Sequence, residues 1–149
     1  MFDAGAYLDR IVYDGPTEPT AATLAGLHRA HMLAVPFENL DLHLGLRNVL
    51  DPGHVFDKVV RRRRGGWCFE LNGLFALLLE HLGYPVTRYA AAVVLSDPPT
   101  RDFAHLTLRV DLDDPWLADV GFGDSFTGPL RLDEAGDQLR EGRPYRLEH

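Results

Sequence analysis

The stretch GGWCFELNGLFALLLEHLG, residues 65–83, decides how the rest of the chain is read. Leu71, Leu74, Phe75, Leu78 and Leu82 recur at i, i+3, i+4, i+7 and i+11, the period of one helix face. The spacing predicts a helix that begins at Cys68, follows a break at Gly65-Gly66 and stops at Gly83. Toward the N-terminus, Asp51-Pro52-Gly53 introduces a helix from 54 to about 63, and PFENLDLHLG (36–45) reads as a loop. Thr20 caps a helix that runs to Val35 and is stopped by Pro36, while Tyr7, Ile11 and Val12 suggest a short opening helix. Past Pro85 the pattern changes to strands at 86–95, 105–111 and 116–120, the first two separated by a Pro-rich loop. Leu130-Arg131-Leu132 and Tyr145-Arg146-Leu147 look like two more.

Helices followed by strands predict an α+β fold, an N-terminal helical bundle and then an antiparallel sheet or partial barrel. The boundary is expected near Gly83-Tyr84, with a helical unit over 1–84 carrying Cys68 and a β unit over 85–149. Nothing follows the last strands to close the sheet, so the chain reads as part of a longer parent. The terminal Leu-Glu-His reads equally as native sequence or as the remnant of an expression tag.

Composition narrows the partners. The 149 residues are 46% hydrophobic and 25% charged, the make-up of an ordinary globular domain. Fifteen Lys+Arg against 22 Asp+Glu leave a net charge of -7, so the long-range field repels phosphate backbones and nucleic acid is not expected as a partner. The N-terminus lacks the apolar core of a signal peptide, and the longest apolar run, 89–95, is too short to span a bilayer. A cytoplasmic protein with no membrane partner is expected, its lone Cys68 kept reduced.

Cys68 falls in the first turn of its helix, where unpaired backbone N–H groups and the positive end of the dipole favour a thiolate. The competing reading is a small buried hydrophobe. A nucleophilic thiol needs a base. His81 lies 13 residues along the same helix, roughly 20 Å away at 1.5 Å per residue, and is excluded. His28 and His31 share a helix face as half of a metal site, but no third ligand follows, so no metal is expected. His43 and His54 stay open. His105 has both a face and a partner. In HLTLRV, His105, Thr107 and Arg109 share one side of a strand. A hairpin centred on residue 112 sets His105 opposite Asp119, and one centred on 113 makes them diagonal neighbours on the same face. Asp119 reads otherwise as a turn residue before Gly121. Cys, His and Asp together form the nucleophile, base and orienter that activate a thiol.

RGGWCFELNGLF (64–75), PFENLDLHLG (36–45), the His105 strand and DVGFG (119–123) together resemble the arylamine N-acetyltransferases. The resemblance is ordered along the whole chain. It implies that Cys68 accepts the acetyl group, His105 is the base and Asp119 the orienting carboxylate, with acetyl-CoA as co-substrate and an arylamine or arylhydrazine as acceptor. It pairs Glu38 with Arg64 in support of the loop holding the cysteine. An uncharged aromatic acceptor suits an aromatic pocket, for which Phe103, Phe122 and Phe126 are the candidates, ordinary core packing being the other reading. The resemblance also sets Gly121 and Gly123 near the CoA site, although Asp124 beside them repels phosphate. The arginines 61–63 read as a solvated helix end. Family members carry a C-terminal α/β lid beyond the barrel, so this chain is expected to be truncated, about half of the family's length being absent. Two further readings stay open: a thiol hydrolase or transglutaminase-like enzyme, which orders Cys, His and Asp alike, and a silent fragment lacking a CoA cleft.

Overall fold

The computed structural model describes residues 2–94 and 102–148. Among the described residues five α-helices precede six strands: α1 (Ala4–Arg10), α2 (Ala21–Ala34), α3 (Leu40–His43), α4 (Pro52–Phe56), α5 (Cys68–His81), β1 (Val86–Ala91), β2 (His105–Asp111), β3 (Pro115–Ala118), β4 (Leu130–Arg131), β5 (Asp137–Arg140) and β6 (Arg143–Arg146). The mixed helix and antiparallel-sheet class is as predicted. Leu95, the Pro-rich loop and His149 lie outside the described residues.

Local chemistry sets the helix ends. Asp3, Thr20 and Asp51 each accept a backbone N–H from the first turn of α1, α2 and α4, at 3.0, 3.2 and 3.0 Å. Pro52 occupies the opening position of α4, where its missing N–H costs nothing. α4 then widens into a π-helical turn, Asp57–Arg61, within the helix predicted to about residue 63. At the end of α5, Gly83 (φ 90) and Tyr84 return their N–H groups to Glu80 and Leu79, a Schellman closure. α1 ends in the same way, but its left-handed position is Val12 (φ 56). Val12, expected in the opening helix, therefore lies beyond it and 79% exposed. The segment read as a loop at 36–45 holds the one-turn α3.

α5 is the hub. Leu71, Leu74, Phe75, Ala76, Leu78 and Leu79 are all within 1% of complete burial, because α5 packs helices on one side and the sheet on the other. Leu108, Val110, Ala118 and Val120 belong to the same core as Tyr7, Leu24 and Leu27, so one hydrophobic cluster runs across residue 84. Arg10 is buried and donates to the carbonyls of Ala34 (2.7 Å) and Val59 (2.9 Å), serving carbonyls that α2 and the π turn leave open.

The sheet order is β1-β2-β3-β4, antiparallel throughout. β1 ends at Ala91, short of the predicted 95, and β3 at Ala118, so Asp119 lies just beyond its strand. β5 and β6 form a separate hairpin, of which β5 was not predicted. Its inward residue is Gln138, whose side-chain amide brackets the backbone N–H and C=O of Arg131 at 2.7 and 2.8 Å. Between α2 and α5 the segment 36–38 runs alongside 65–66 through a parallel bridge, Phe37 to Gly66. A Cβ on Gly65 would fall 2.0 Å from the Pro36 carbonyl oxygen, so the paired glycines permit a close backbone approach as well as ending a helix.

Candidate active site

Cys68 opens α5 with its residue 5% exposed, and its Sγ lies 3.8 Å from the Ala104 carbonyl oxygen. From β2, the His105 imidazole feels hydrogen bonds from both Asp119 and Cys68. Its Nε2 is 2.6 Å from Asp119 Oδ2. The pairing Leu108↔Ala118 and Val110↔Trp116 centres the hairpin on residue 113, which selects the diagonal of the two expected registers. Burial alone disfavours an imidazolium. Hydrogen bonds and charge from Asp119 and Cys68 outweigh it and carry His105 up to about 9. A ring so placed is protonated at neutral pH. With Nε2 committed to the carboxylate, Nδ1 remains for the sulfur.

Asp119 is held from three sides. Its Oδ1 accepts from Asn72 Nδ2 at 2.8 Å and from the Gly121 N–H at 3.0 Å, and its own N–H donates to His28 Nε2 at 3.2 Å. His28 and His31 are fully buried, and burial pushes them down to about 4 and about 3. Tyr7 Oη lies 2.7 Å from His31 Nδ1. These two are neutral core histidines. Among the described residues no group of three or more His, Cys, Asp or Glu could hold a metal.

The N-terminal end of α5 is anchored by a chain of ion pairs. Arg64 bridges Glu38 and Asp41 at 2.7 and 2.8 Å, Lys58 bridges Asp41 and Glu70 at 2.8 and 2.9 Å, and Glu70 accepts the Trp67 N–H at 3.1 Å. Hydrogen bonds from Lys58 and Arg64 hold the Asp41 carboxyl below its ordinary range. Burial opposes the Lys58 charge, yet Asp41 and Glu70 keep its ammonium above the usual value. Arg61 and Arg62 are solvated and pair with Asp57, and the Arg61 guanidinium lies over the Phe56 ring at 5.5 Å.

A cavity of about 420 Å³ opens on the imidazole side of the cluster. His105, Asp119, Phe122, Phe126 and Tyr145 line it; Cys68 and Phe103 do not. Phe122 meets the His105 ring edge to face at 5.3 Å, and Phe126 stacks on His28 at 5.7 Å and meets Tyr145 at 5.6 Å. Phe103 is 73% exposed with φ 67, away from the cavity wall. Gly121 spends its N–H on Asp119, and a Cβ there would sit 2.8 Å from the Cys68 Cα, so this glycine serves close packing against α5. Gly123 (φ 88) turns the chain beside Phe37. Neither glycine forms a cradle around the cavity. Asn72, His28, Glu70, Lys58 and Tyr145 were not predicted as site residues; the one sequence signal for Asn72 is an amide one turn after Cys68 on a buried helix.

A thiol at a helix start thus lies beside a histidine–carboxylate pair on the neighbouring sheet, and residues 20–149 match the family model described as N-acetyltransferase. An arylamine N-acetyltransferase of Mycobacterium tuberculosis is 46% identical over 98% of this chain and 54% of its own length. The Salmonella typhimurium arylamine N-acetyltransferase / N-hydroxyarylamine O-acetyltransferase is 44% identical over 95% of this chain and 52% of its own. The structure of Mycobacterium marinum arylamine N-acetyltransferase in complex with CoA superposes with a TM-score of 0.91 at 43% identity, covering 99% of this chain and 57% of that one. The chain belongs to the arylamine N-acetyltransferase family. It spans about half the length of the curated relatives it matches. Among the described residues no helix is long and apolar enough to cross a membrane.

Proposed function

We propose that this chain carries the chemical centre of an acetyl transfer from acetyl-CoA to an arylamine or arylhydrazine nitrogen, by a ping-pong route through acetyl-Cys68. The observation that carries the reading is the locked His105–Asp119 pair facing a sulfur at the start of α5. In the first half-reaction the sulfur attacks the acetyl carbonyl and the carbon–sulfur bond to CoA breaks. CoA takes the proton from His105 and leaves. One thioester replaces another, so the intermediate lies close in free energy to the donor. In the second, the amine nitrogen attacks acetyl-Cys68, His105 takes the amine proton and the sulfur leaves as thiolate. Proton transfer by a positioned group of this kind contributes about 10²–10⁴-fold.

The cavity suits the acceptor better than the donor. Its wall is aromatic at Phe122, Phe126 and Tyr145 and ends at the His105 ring, where the amine proton must go. A nucleophilic thiol that must stay reduced supports a cytoplasmic setting for the reaction. The test is intact mass after incubation with acetyl-CoA, and in parallel with p-nitrophenyl acetate, a donor that needs no nucleotide cleft. The expected result is a gain of about 42 Da that disappears in Cys68→Ala. No adduct from either donor, or one that survives Cys68→Ala, overturns the reading.

A further inference from the structure

Asn72 is fully buried and lies one helical turn beyond Cys68, on the same face of α5. Its Nδ2 donates to the Leu106 carbonyl (2.6 Å) and to Asp119 Oδ1 (2.8 Å), and its Oδ1 accepts the Val120 N–H (2.8 Å). Both amide hydrogens are used, and the orientation of the amide is set by partners of opposite kind at its two ends. The three partners sit on the strand that carries His105 and on the segment that carries Asp119. One side chain on the nucleophile's helix therefore registers both of the other groups.

We propose that Asn72 is a positioning residue of the acyl transfer, dividing the labour between the two oxygens of Asp119. With Asn72 and the Gly121 N–H on Oδ1, only Oδ2 is free to take His105 Nε2. That fixes the ring so that its other nitrogen faces the sulfur. Without Asn72 the carboxylate can rotate, Leu106 O and the Val120 N–H lose a buried partner, and the imidazole is no longer held against Cys68. This inference rests on the acyl-transfer reading above.

Cys68 is the one cysteine of the sequence, so iodoacetamide labelling followed by intact mass reports its reactivity alone. In Asn72→Ala the rate at pH 7 should fall about tenfold or more, and the pH profile should move toward alkali by about one unit, the size of one lost charge-assisted hydrogen bond. Leu78→Ala, which empties the same helix without touching Asp119, is the control: it should lower Tm and leave the profile in place. A wild-type profile in Asn72→Ala, or an equal shift in Leu78→Ala, overturns the proposal. His105→Gln separates the two levels. If it too matches wild type, the acyl-transfer reading falls with the proposal; if it differs while Asn72→Ala does not, only the role of Asn72 falls. Should Asn72→Ala fail to fold, the wild type suffices. The side-chain amide protons of Asn72 should shift in NMR with the same midpoint as the His105 ring, and independent behaviour overturns the proposal.

Discussion

Asp119 reaches His105 along a diagonal of the β2–β3 hairpin, with Oδ2 2.6 Å from Nε2. The diagonal arises because the pairing is centred on Asp113 and β3 stops at Ala118. The carboxylate thus lies beyond the last ladder pair, where loop backbone and helix side chains orient it.

Asp119→Asn keeps the shape and removes the charge. The His105 ring should then titrate well below about 9, and acetylation of Cys68 at pH 7 should slow by about 10²–10⁴-fold. Histidine NMR titration and the acetylation time course check both; an unchanged titration disproves the electrostatic role of Asp119.

Stability should peak near pH 6.5 and decline on both sides. His28 and His31 are lowered to about 4 and about 3, so the unfolded chain takes up protons first, and stability falls as pH drops below 6.5 and on through those values. His105 is raised to about 9, so its stabilisation is complete below 6.5 and is lost as pH rises through about 9. Urea midpoints at several pH values measure the dome. A midpoint that climbs steadily from pH 6.5 to 9 contradicts it.

Lys58→Met leaves the buried Glu70 carboxylate without its cation and should cost about 3–5 kcal/mol. The double substitution Lys58→Met with Glu70→Gln removes both charges and should recover a large part of that loss. Chemical denaturation of Lys58→Met, Glu70→Gln and the double variant gives the coupling energy, and simple additivity would show that the pair is not energetically linked.

Val12→Gly should stabilise the chain by about 0.5–1 kcal/mol. The site needs φ 56, an exposed β-branched side chain is strained there, and the gain is partly offset by the greater freedom of glycine when unfolded. A lower Tm in the variant would mean that the Val12 side chain matters more than its backbone.

Much of this was legible because it rests on local pattern. The α5 face, its Gly83 stop and the Thr20 cap follow from periodicity and side-chain chemistry within a few residues. The His105–Asp119 pair was legible because a short hairpin brings the two together in either register. What escaped was long-range. Asn72 reads as one polar residue in an apolar helix until β2 and β3 are laid against it, and His28 as half a metal site until the Asp119 N–H is found on its Nε2. β5 escaped for another reason: its inward residue is Gln138, so apolar alternation is missing, and a side-chain amide does the work of burial. Phe103 is near His105 in sequence, but its own left-handed backbone and its exposure keep it off the cavity wall.

Cys68 rides on a helix and His105 on a sheet, 37 positions later in the chain, and the seating of one layer upon the other, with Asn72 bonded across it, brings them together. A displacement of about an ångström between those layers leaves each intact yet separates sulfur from ring. The lone thiol is thus a built-in gauge of tertiary seating: its chemical speed reads out docking of the two layers well before any spectroscopic sign of secondary-structure loss.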